Sequence, residues 1–346
     1  MKYIVEYVPA KQLGTLKSQW NVLEHGKEMT LFQSFQWYQM LAEYYIPADT
    51  NNYTSVFAVV QANETPCLIA PFWIVKHTFK LLNKKGVYLL GRDSYGDYLN
   101  LVYDQFDGAA LDFLLEDVSK KYGTNHFVFE QLMESSSTYH HIVKTGRQIM
   151  EDRIEPCASL RLPASVGDYQ KMLSKNARQN LRTANNRLAK DGKILAFNFD
   201  DVVTDKNSCL NIRESKLAVK YAKVPIWRKY KYRLVNKVLF HFPRFAPIQT
   251  FDGSKVMTAK DEEGLLRAFF SYGYDTEGRC VRIMSAGTDL EFARYSPGML
   301  LMHTFIIKTI EDGLVHEIDF TRGDEKYKFT LGSVLQNNHT ITFGKS

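Results

Sequence analysis

The stretch RYSPGMLLMHTFIIKTIEDGLVHEIDFTRGDEKYKF, residues 294–329, decides the reading of this chain. A turn leads into Ser296-Pro297-Gly298, an apolar run with helical spacing, a stop at Gly313, a short buried strand and a polar cluster. Serine suits an N-cap, and proline suits the first helical position, where its missing N–H costs nothing. Gly298 leaves the backbone approachable. The N–H groups of Gly298, Met299 and Leu300 would then stand unpaired at the positive end of the helix dipole, a setting suited to a phosphate-bearing ligand. A well-capped structural helix would use the same triplet.

The polar cluster after the strand holds Asp319, Thr321, Arg322, Gly323, Asp324, Glu325, Lys326, Tyr327 and Lys328. Ligands of open α/β folds gather at the carboxyl ends of strands. Asp319 falls on the strand face opposite Ile318. A carboxylate there is either paired, with Arg322 or Lys328 as the nearest cations in sequence, or catalytic. Arg322 also suits a carboxylate or phosphate on an acceptor.

Upstream, residues 264–288 read as a hairpin turning between Asp275 and Gly278. Residues 166–192 read as one long helix stopped by Gly192. On it Lys171, Lys175, Arg178 and Arg182 fall within about 60° on a helical wheel, while Leu173, Ala177, Leu181, Ala184 and Leu188 fill another sector. One stripe docks; the other is a solvated charged face or a groove for a polyanion. The run WRKYKYRLVNK (227–237) reads as an amphipathic helix, with stacking on nucleic acid as the alternative.

The first half contains a helix at 32–45, a hairpin over 55–77, a strand, turn and strand at 87–103, a helix at 108–123 and a strand at 126–132. KKYGTNHFVFE (120–130) and IEDGLVHEIDF (310–320) share a pattern of helix, Gly, two residues, His and strand. Chance resemblance of two αβ units or duplication of an α/β domain would produce it. Where the second copy has Ser296-Pro297-Gly298, the first has Phe106-Asp107-Gly108. An acidic residue there suits the dipole but repels phosphate, so only the second copy is expected to hold an anion.

With 346 residues, two domains are expected, divided near Glu155-Pro156 as 1–155 and 156–346. The net charge of +6 permits an anionic partner such as a nucleotide or tRNA without demanding one. Cys67, Cys157, Cys209 and Cys280 are scattered and form no zinc spacing, so no metal is expected. The opening MKYIVEYVPA reads as a strand, and no apolar run reaches membrane-spanning length; a reducing cytoplasm is the expectation. No GxGxxG follows a strand, and neither a P-loop nor a GxSxG elbow occurs.

Taken in order, FQSFQW (32–37), YGDYLNL (95–101), LSKNARQNLRTANNRL (173–188), YSPGMLL (295–301) and IDFTRGDEKYKF (318–329) resemble the GNAT superfamily. The likeness is to its tandem, CelD-like acyltransferases and, more distantly, to Fem peptidyl-transferases, and it spans most of the chain. It implies two tandem GNAT-like domains of α/β (α+β) type, each a mixed, mostly antiparallel twisted sheet flanked by helices, with acyl-CoA chemistry in the second. It implies an acyl-CoA lying along a splayed strand, here VRIMSAGT (281–288) with Met284, Ser285 and Ala286, its diphosphate at Ser296, Pro297, Gly298, Met299 and Leu300. The acceptor, a small molecule or a saccharide, would attack the thioester directly. A strand amide would stabilise the oxyanion. Asp319 would serve as base and Tyr327 as acid, with Arg178, Arg182, Arg322 and Lys328 toward the acceptor. The single glycine of RYSPGM departs from the fuller GNAT phosphate loop and leaves the donor open. An aminoacyl-tRNA-dependent transferase and a non-catalytic partner in a biosynthetic complex are the alternatives.

Overall fold

A computed structural model describes residues 2–44, 52–77, 84–91, 96–199, 208–209, 211–212, 215, 254–275 and 277–344. The run at 227–237 lies outside these residues. The chain divides into two compact units, Met1–Pro156 with Gln336–Ser346, and Cys157–Leu335. Residues 336–346, expected in the second domain, group with the first unit instead.

In the first unit, β1 (Tyr3–Pro9) pairs with β2 (Tyr53–Ala62), which forms a hairpin with β3 (Thr65–Val75). β3 pairs antiparallel with β4 (Gly86–Leu89), and β4 lies parallel to β5 (Phe127–Met133). A parallel pair needs a crossover, which the helix Gly108–Tyr122 (here α3) supplies. Its C-terminus closes on left-handed Gly123, φ +59°. β12 (Val334–Phe343) pairs antiparallel with β5. The near-continuous apolar runs of β2 and β3 explain their burial; α1 (Lys17–Leu23) and α2 (Phe35–Tyr44) add Trp20 and Tyr38, whose rings meet at 5.2 Å, and Trp20 reaches Phe57 at 5.5 Å. A further helix, α4 (Ser137–Lys144), precedes β6 (Ile149–Arg161), on which the chain passes from the first unit to the second.

The second unit repeats this order. β7 (Ala196–Asn198), β8 (Lys255–Lys260), β9 (Leu266–Tyr274) and β10 (Cys280–Thr288) are successively antiparallel. β10 lies parallel to β11 (Glu317–Arg322) through the crossover helix α7 (Pro297–Asp312), which ends on left-handed Gly313. Residues 157–161 of β6 pair antiparallel with β11. Leu300, Leu301, Phe305, Ile306 and Ile310 turn the apolar stripe of α7 into the core, where Phe305 meets Phe270 at 5.0 Å and Tyr272 at 4.8 Å.

The helix expected over 166–192 is two helices, α5 (Val166–Met172) and α6 (Lys175–Lys190). Leu173 is extended, and the Ser174 hydroxyl accepts the Ala177 N–H as a new N-cap. The wheel therefore holds only from Lys175 onward; Ala177, Leu181, Ala184 and Leu188 are buried along it as expected. A last short helix, α8 (Lys326–Thr330), follows β11. Among the described residues no helix is long and apolar enough to cross a membrane, and no group of three or more metal-ligating side chains is gathered.

Candidate active site

β10 and β11 pair at Cys280↔Glu317, Val281↔Ile318 and Arg282↔Asp319, and no pairing between them is registered beyond that point. On its other edge β10 pairs with β9 throughout, but the register slips between Ile283 and Ser285. The slip changes which edge each peptide faces. Along a strand, the N–H and C=O of one residue point to one side, and those of the next to the other. The Cys280 carbonyl accepts from Asp275 N–H at 3.0 Å, so before the slip even-numbered residues face β9. The Asp289 N–H donates to Arg267 O at 2.8 Å, so after the slip odd-numbered residues do. Ala286 and Thr288 therefore turn their main-chain groups toward the side where β11 has departed. Met284, Ser285 and Ala286 are half-buried in a strand whose preceding residues, Val281 to Ile283, are buried.

The start of α7 lies at the end of this opening. Ser296 occupies the N-cap in the left-handed region, φ +51°, and its side chain makes no capping bond. Its carbonyl accepts from Met299 N–H and Leu300 N–H, each at 3.1 Å. Two of the three amides expected to be open are thus turned into the helix, and Leu300 is a core side chain; the Gly298 amide stands outside the helix ladder. A Cβ at Gly298 would lie 2.4 Å from Thr288 Oγ1, so the helix start is packed against the end of β10 and a larger residue would have to displace the Thr288 side chain. Pro297 is buried at the first helical position.

The first unit closes the equivalent place. Asp107 caps α3, accepting from Ala109 N–H at 3.0 Å and Ala110 N–H at 3.2 Å, and Tyr3 Oη donates to its other oxygen at 2.8 Å. That helix start is filled by its own carboxylate.

Cations gather near the α7 start. Arg187 Nη1 donates to the Arg294 carbonyl at 2.9 Å, and Arg294 pairs with Asp191 at 3.0 Å while its side chain stays 64% exposed. Tyr295 Oη also donates to Asp191, at 2.8 Å. These bonds pin the end of α6 to the turn before α7. Arg187 was not singled out in the sequence; the alignment of a helix end with RYSPG is a long-range fact that spacing does not carry.

Asp319 is 1% exposed. Its Oδ2 accepts from Arg282 Nη1 at 2.6 Å and its Oδ1 from Thr321 N–H at 2.6 Å. Arg282 also holds Asp275 through Nε at 2.9 Å and Nη2 at 2.8 Å. The register places Arg282 directly beside Asp319, a partner additional to the Arg322 and Lys328 expected from spacing along the chain. A charged residue inside the apolar run VRIM was the available signal. Lys328 is 2% exposed, and its Nζ donates to the carbonyls of Thr321, Arg322 and Gly323 at 3.3, 2.8 and 3.1 Å and pairs with Glu325 at 2.9 Å. It knits the loop after β11 and offers no donor to an acceptor molecule. Arg322, half-buried, ends that strand. Tyr327 is half-buried on α8, and burial, with Glu325 beside it, pushes its phenol well above the ordinary range. Arg178 Nη1 donates to the Leu173 and Gln170 carbonyls at 2.6 and 3.1 Å, capping the end of α5, and Lys171 pairs with Asp168 at 2.9 Å. Arg182 is exposed on α6.

Residues 268–329 match the family model of an acetyltransferase (GNAT) domain. No protein of curated function matches the sequence. Among solved structures, the chain is similar to FemX, with 9% identity over 99% of this chain and 97% of that one and a TM-score of 0.60. It is also similar to a tandem GNAT protein from the clavulanic acid biosynthesis pathway, with 11% identity over 99% and 98% of the two chains and a TM-score of 0.50. A conserved protein of unknown function from Bacteroides thetaiotaomicron aligns at 12% identity over 96% and 97%, with a TM-score of 0.53. Residues 268–329 thus match a GNAT domain, and the fold, mixed and mostly antiparallel strands flanked by helices, is similar to that of a tandem GNAT protein.

Proposed function

We propose that the second unit is an acyl-CoA-dependent acyltransferase in which an acceptor attacks the thioester directly. One observation carries the reading: the opened edge of β10 runs from its parting with β11 to a helix start that its own side chain leaves uncapped. The Gly298 amide, the α7 dipole and the exposed Arg294 suit a diphosphate. The main-chain groups of Ala286 and Thr288 suit the amides of a pantetheine arm, and the half-buried Met284 and Ser285 flank the acyl end. The donor would supply an activated acyl group. Tyr327 is the candidate acid for the departing thiolate. Asp319, with both oxygens engaged, is assigned to bracing the strand pair, and the acceptor's proton passes to water.

Acyl-CoA should raise the melting temperature by mass action, by about 2.7 kcal/mol of stabilisation at a hundredfold excess over Kd. No rise at millimolar acetyl-CoA or longer acyl-CoA would refute the reading.

An aminoacyl-tRNA donor is the second reading. Its support is the exposed basic face of α6, with Lys175, Arg182, Arg187 and Lys190. It requires tRNA binding that weakens steeply with salt and is lost in K175E/R182E; binding indifferent to salt would eliminate it.

A further inference from the structure

Resting on the acyltransferase reading, we propose that Thr321 is a positioning residue for the acyl carbonyl, acting through the Ile283 peptide where β10 and β11 part. Thr321 is a β-branched residue at φ +57°, a conformation that side chains of this kind rarely adopt. Glycine would meet the backbone demand without strain. Three bonds hold the residue in this turn, and only the last depends on the threonine side chain. Its N–H donates to Asp319 Oδ1 at 2.6 Å, its carbonyl accepts from Lys328 Nζ at 3.3 Å, and its hydroxyl donates to the Ile283 carbonyl at 2.9 Å.

The hydroxyl bond is the informative one. Ile283 is the last residue of β10 before the register slip, and its carbonyl faces β11 just past the Arg282↔Asp319 pair. An uncapped carbonyl at that apex would aim a lone pair into the opening and repel an acyl oxygen gaining negative charge. Thr321 Oγ1 caps it. The left-handed turn also shifts the register of β11 against β6 between Asp319 and Arg322, carrying β11 away from β10. Asp319, Arg282 and Lys328 then act as the frame that fixes Thr321.

The first unit provides an internal contrast. Gln131 has the same backbone conformation, φ +58°, yet its side chain bonds Glu155 on β6 and Asn338 on β12 and not a carbonyl of β4. The backbone turn therefore belongs to both units, and the hydroxyl clasp to the unit with the opened helix start.

The test compares wild type with T321V, T321S and T321G. T321V keeps shape and branching and removes only the hydroxyl; T321G removes it while relieving the strained φ, so a folding defect in T321V is bypassed. Calorimetry reads acetyl-CoA affinity, NMR reads the carbonyl shift of bound [1-¹³C]acetyl-CoA, and thiol release with a panel of amine and alcohol acceptors reads turnover. Expected is a wild-type carbonyl shift that T321S retains and that T321V and T321G lose, with affinity changed little. For any accepted acceptor, kcat falls about a hundredfold at near-constant KM for the donor, the scale of one misplaced oxyanion interaction. A wild-type shift and turnover in T321V or T321G would overturn the clasp and leave the acyltransferase reading standing. Absence of acetyl-CoA binding by the wild type would overturn that reading, and the clasp with it.

Discussion

Gln131 and Thr321 hold the same left-handed backbone, φ +58° and +57°, each five residues beyond the histidines, His126 and His316, that align in the two halves of the sequence. Both sit in a strand that runs parallel to its predecessor after a helix ended by a left-handed glycine. Agreement in strand order, crossover, cap and an uncommon dihedral favours duplication over chance as the origin of the repeated helix-Gly-x-x-His-strand pattern. The copies diverge at the helix starts, where Asp107 caps its own helix and Ser296 caps none.

Gly298 serves packing and, on the present proposal, ligand approach, and the two roles separate in a double variant. G298A sets a methyl against Thr288 Oγ1 and lowers the melting temperature. G298A/T288A removes that clash. Stability recovers in the double variant, but the rise in melting temperature on adding acyl-CoA stays reduced. Recovery of both would assign Gly298 to packing alone.

D319N tests the bracing role. Removing the charge leaves Arg282 with Asp275 and weakens a buried ion pair, a change that costs about 3 kcal/mol when one partner is lost outright. Urea unfolding should show a loss approaching that size, with residual turnover tracking the folded fraction. Full stability with abolished turnover would return Asp319 to the role of base.

The acid limb of stability should include Asp261. Burial opposes its ionisation, but Arg267 and the Leu265 and Glu263 amides outweigh it and hold the carboxyl below the usual range. A folded pKa below the unfolded one means the unfolded state binds more protons in acid. The contribution is complete above the unfolded carboxylate pKa of about 3.9 and is lost as pH falls through the depressed folded value. Urea titrations from pH 5 to pH 2 should show a shallower acid decline in D261N than in wild type. An identical decline would exclude this carboxylate as a contributor.

K328M retains length and apolar bulk but withdraws the ammonium from three carbonyls and Glu325. Hydrogen exchange should accelerate at residues 321–325 more than in α7. Uniform exchange would mean that the loop holds itself.

Local chemistry made much of this architecture readable. The Gly313 stop and apolar stripe of α7, the hairpins, the core face of α6 and the acidic start of α3 at Asp107 follow from spacing and residue type, whereas the N-cap expected of Ser296 is not made. What escaped depended on partners distant in sequence. Leu173 looked like one more apolar position until Ser174 capped a second helix. Lys328 and Arg322 were the nearest cations to Asp319 along the chain, while strand register supplied Arg282. The last strand followed the second domain in sequence but pairs with β5. The register slip at Met284 and the left-handed turn at Thr321 have no glycine to announce them.

The most direct test of the central claim is calorimetric titration of acetyl-CoA into wild type and S296D, which gives α7 the acidic N-cap that Asp107 gives α3. Saturable heat is expected in wild type, abolished by excess free CoA, with no heat in a folded S296D protein. Equal heat in both proteins, or none in wild type at millimolar ligand, would contradict the claim.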